Sequence, residues 1–95
     1  MYIMNEAGTE ILNSDFVERF CIVKKPDAIL IVASYGADRC VTIGRYGDIN
    51  QAAEVMDNLS GALAVGQAFF DMPISLLFAE QALKKDARTR RKGGS

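Results

Sequence analysis

Ninety-five residues suffice for one domain and not for two. An apolar share of 49% can fill a core, and a charged share of 24% argues against a disordered chain. The net charge of −1 conceals an asymmetry: residues 1–83 hold five basic and eleven acidic side chains, a net of −6, whereas residues 84–95 hold six basic and one acidic, a net of +5. No apolar run exceeds Ala28 to Ala33, far short of the roughly 20 residues of a membrane-spanning helix. Glu6 and Glu10 interrupt the start, where a secretory leader needs a continuous apolar stretch. The expectation is a cytoplasmic chain with no membrane partner.

In chain order, Tyr2 to Met4 reads as a short strand, Asn5 to Thr9 as a turn, and Ile11-Leu12 as a second strand ended by Asn13-Ser14-Asp15. Phe16 to Lys24 alternates, with Phe16, Phe20 and Ile22 on one face and Val17, Cys21 and Val23 on the other. After a turn at Lys25-Pro26-Asp27, Ala28 to Tyr35 is apolar on both faces and reads as the central strand. Gly36-Ala37-Asp38 makes a hairpin loop, and Cys40 to Ile43 is the next strand of an antiparallel meander. Gly44-Arg45-Tyr46-Gly47 breaks the sheet.

Asp48 fits a helix N-cap, with Gln51 completing a capping box. Ala52, Val55, Met56, Leu59, Ala62 and Leu63 then repeat at helical steps until Gly66, a favourable C′ residue. Gln67 to Met72 fits a short edge strand or an extended loop. Past Pro73 the spacing predicts a second helix, Ile74 to Ala87, with Leu76, Leu77, Ala79 and Leu83 on one side and Glu80, Gln81, Lys84 and Lys85 on the other. The predicted fold is α+β: an antiparallel sheet of four or five strands, one long helix across a face, and a second C-terminal helix. Residues 1–87 form the domain and 88–95 a flexible basic tail.

Catalysis finds little equipment. The chain has no histidine, so no side chain titrates near neutral pH without a large shift. Cys21 and Cys40, 19 positions apart, form no CxxC and read as reduced, buried apolar residues. The carboxylates form no DxD or ExxE pattern, so no catalytic residue, metal ligand or cofactor is assigned. Gly44 to Gly47 lacks the spacing and lysine of a phosphate loop.

Two sets of residues suggest binding instead. Phe70, Leu76, Leu77 and Leu83 are candidates for self-association into a homodimer. Lys84, Lys85, Arg88, Arg90, Arg91 and Lys92 are candidates for nucleic-acid contact, opposed by the acidic body and by the absence of aromatic interleaving.

MYIMN, ILNSDFV, AILIVASY, VTIGRYGDINQAAEVMDNLSGAL and FFDMP, spread over residues 1–73, resemble small uncharacterised proteins of phages, prophages and other mobile elements of Gram-positive bacteria. The Lys/Arg-rich segment after Pro73 departs from that pattern. The resemblance implies a cytoplasmic accessory protein that acts by binding a host protein, including as an inhibitor of a host defence or nucleic-acid-handling complex. The reading that results is a non-catalytic protein–protein interaction module.

Overall fold

The computed structural model describes residues 1–75. Six strands, β1 (Tyr2–Met4), β2 (Ile11–Asn13), β3 (Arg19–Lys24), β4 (Ile29–Ser34), β5 (Cys40–Tyr46) and β6 (Phe69–Asp71), accompany one helix, α1 (Ile49–Ala64). The class is α+β, as the sequence predicts, but the strands form two three-stranded sheets of order β2-β1-β6 and β3-β4-β5 instead of one sheet of four or five. The larger sheet is the antiparallel meander. The smaller sheet is mixed, because β6 returns after α1 and pairs parallel with β1. The expected second helix beyond Ile74, and the boundary at residue 87, lie outside the described residues.

Local chemistry sets the strand ends. The Asn13 side chain accepts from the Asp15 amide at 3.0 Å, and the Val17 amide donates to the Ser14 carbonyl. These bonds wind Ser14–Phe16 into a 3₁₀ turn. The strand expected from Phe16 therefore begins at Arg19, and Phe16 is exposed, away from Phe20 and Ile22, which pack on the core.

β5 also runs three residues past its expected end, through Gly44 and Arg45 to Tyr46. A bulge makes this possible. Ile31 pairs with Gly44 and Val32 with Thr42, so Ile43 is the extra residue. The bulge shifts the alternation by one, which turns Ile43, Gly44 and Tyr46 all toward the interior. The freed Ile43 carbonyl accepts from the Glu6 amide at 2.7 Å and joins the two sheets.

α1 begins at Asp48, whose side chain accepts from the Asn50 amide at 3.1 Å. Gln51 reaches across the fold, donating to the Ile74 carbonyl at 3.3 Å. At the other end Gly66 takes φ +72°, and the Gly66 and Gln67 amides donate to the Leu63 and Ala62 carbonyls. That pair of bonds is a Schellman ending, which a Cβ at Gly66 would disfavour. Ala52, Val55, Leu59 and Ala62 face inward against β4 and β5, while Leu63 stays 40% exposed. Ala52, Val55 and Leu59 meet Ile3, Leu12, Ile31, Ala33, Ile43, Tyr46 and Met72 in one core.

Gly44 is held by space. A Cβ there would sit 2.5 Å from the Tyr46 ring and 3.0 Å from the Met72 methyl, and Tyr46 and Met72 are both fully buried. Gly44→Ala is expected to lower stability by about 1–3 kcal/mol, read as a lower urea midpoint. Gly61→Ala, facing open space within α1, is expected to raise stability by up to about 1 kcal/mol.

Candidate functional site

Two apolar features stand out on the surface. The first is the outer face of the small sheet. Register places Tyr2 beside Phe69 and Asn13, and Met4 beside Ile11 and Asp71. Because side chains alternate along a strand, Ile3, Leu12 and Phe70 point to the core and these partners point away from it. Tyr2 is 55%, Ile11 54% and Phe69 43% exposed. The second is an open groove where α1 passes over the larger sheet, lined by Phe20, Met56, Leu59, Ser60, Leu63 and Ala64.

Of the residues singled out for self-association, Phe70 pairs with Ile3 and is half-buried against the core. Its neighbour Phe69 is the one turned outward. Leu76, Leu77 and Leu83 lie outside the described residues, as do Lys84, Lys85, Arg88, Arg90, Arg91 and Lys92. The sequence reading missed the face formed by Tyr2, Met4 and Ile11. The available signal was that Tyr2–Met4 is apolar at every position, which puts an apolar side chain on both faces of that strand, including the one turned away from the core.

The segment 44–47 is not a strand-to-helix connection throughout, since Gly44 to Tyr46 belong to β5. Arg45 lies 3.6 Å from Asp27, with both side chains largely in solvent, an arrangement that contributes little. The N-terminus of α1 is satisfied by the Asp48 carboxylate, and among the described residues no three His, Cys, Asp or Glu side chains come together to hold a metal. No described helix is long and apolar enough to cross a membrane.

Among the described residues, Tyr46 is the most perturbed group. Its hydroxyl donates to the Pro73 carbonyl at 2.8 Å, inside the protein. Burial, and secondarily the Glu6 carboxylate, push the phenol above its ordinary value. Ser75 is also fully buried, its amide donating to the Glu6 carboxylate at 3.4 Å. The group is a clamp on residues 73–75 that joins turn, strand and helix.

Both cysteines are free. Cys21 lies opposite Val32, which lies opposite Thr42, with Cys40 two residues further along β5. Two strand spacings put about 10 Å between the chains that carry them, beyond the roughly 7 Å that a disulfide spans.

Two predictions concern these groups. In the folded chain Tyr46 keeps its proton past the pH, about 10, at which the unfolded chain releases it. Its contribution is complete below pH 10 and is lost as pH rises further. Tyr46→Phe is expected to cost about 1–2 kcal/mol at pH 7, because a buried carbonyl loses its donor, and to flatten the fall in stability above pH 10 in urea titrations. Without reductant, a thiol reagent should titrate both cysteines, the exposed Cys40 faster than the half-buried Cys21.

Comparison with protein-family models, with curated proteins and with solved structures yields no match to this chain.

Proposed function

We propose that the chain is a non-catalytic protein–protein interaction module that self-associates through the outer face of its β2-β1-β6 sheet. The observation that supports this is the row of Tyr2 and Phe69 beside Met4 and Ile11, on a sheet face turned away from the core. Exposed apolar surface of this kind marks an interaction site, and aromatic side chains supply most of the energy where such surfaces meet. A second copy presents the same flat face, so an isologous two-fold contact closes on itself. Its place in the cell, on the resemblance in sequence, is that of a cytoplasmic mobile-element accessory protein that binds a host protein. Nucleic-acid association has less support, because residues 1–75 carry ten acidic against five basic side chains.

Sedimentation equilibrium of the full chain tests the reading. The native chain is expected to dimerise, and the double variant Tyr2→Glu, Phe69→Glu to raise the dimer dissociation constant by about 100-fold or more with its far-UV spectrum unchanged. A native chain that remains monomeric at about 1 mM, where even an interaction of some 4 kcal/mol is half-saturated, overturns it.

A further inference from the structure

We draw no further inference here: the strongest candidate, the open apolar groove between Phe20 of β3 and Met56, Leu59 and Leu63 of α1, carries no proposal because nothing in the structure shows what covers it.

Discussion

The ring of Tyr46 lying across Gly44 is the contact on which the assembly of this protein rests. The bulge at Ile43 turns Ile43, Gly44 and Tyr46 inward on β5, and the interior has room for them because the middle one has no side chain. With the ring in place, its hydroxyl reaches the Pro73 carbonyl, and Met72 is drawn into the core beside it. Those two contacts fix the end of β6 and so the register in which it pairs with β1. The same bulge releases the Ile43 carbonyl to the Glu6 amide. One irregularity in one strand therefore ties the second sheet to the first at two places.

The regular parts of this architecture were legible in the sequence. The alternation around Cys21 and Val23, the apolar run of β4, the Asp48 cap and the Gly66 ending are local signals, and each element formed where its signal lay. What eluded sequence reasoning is non-local. Gly44 reads as a breaker because a glycine followed by Arg45, Tyr46 and a second glycine usually ends a strand; that it makes room for Tyr46 appears only once the bulge has turned both inward. Phe16 continues the alternation of β3 on paper, but the side-chain bond from Asn13 competes for that backbone and winds it into a turn. The division into two sheets depends on β6 choosing β1 as a parallel partner across α1, for which three residues of FFD carry no signal. Of the candidate site, Phe70 was singled out, but its neighbour Phe69 is the one turned outward, and telling the two apart required the register with Tyr2 and Ile3.

The two apolar features differ in the geometry they offer. The small sheet presents three-residue strands, with Gln67 donating to the Phe69 carbonyl at 2.7 Å along the outer edge of β6. That bond occupies an acceptor which an added strand would otherwise use, so the edge is blunted and association is directed to the face. The groove is open and lies between Phe20 of β3 and Met56, Leu59, Ser60, Leu63 and Ala64 along α1.

Parallel pairing of β6 with β1 has a consequence for the order in which the protein acquires its structure. The β3-β4-β5 meander and α1 close through contacts between neighbours in sequence and are fast to form. β1 waits: its central place in the small sheet is completed only by residues at the far end of the described chain, after α1. On the ribosome, where synthesis proceeds at about 5–20 residues per second, the β1-β2 hairpin therefore emerges seconds before its last partner and spends that interval with one edge of β1 open. Among the described residues, β1 is made well before the strand that completes its pairing, and that interval is when it is most exposed to pairing with the wrong strand.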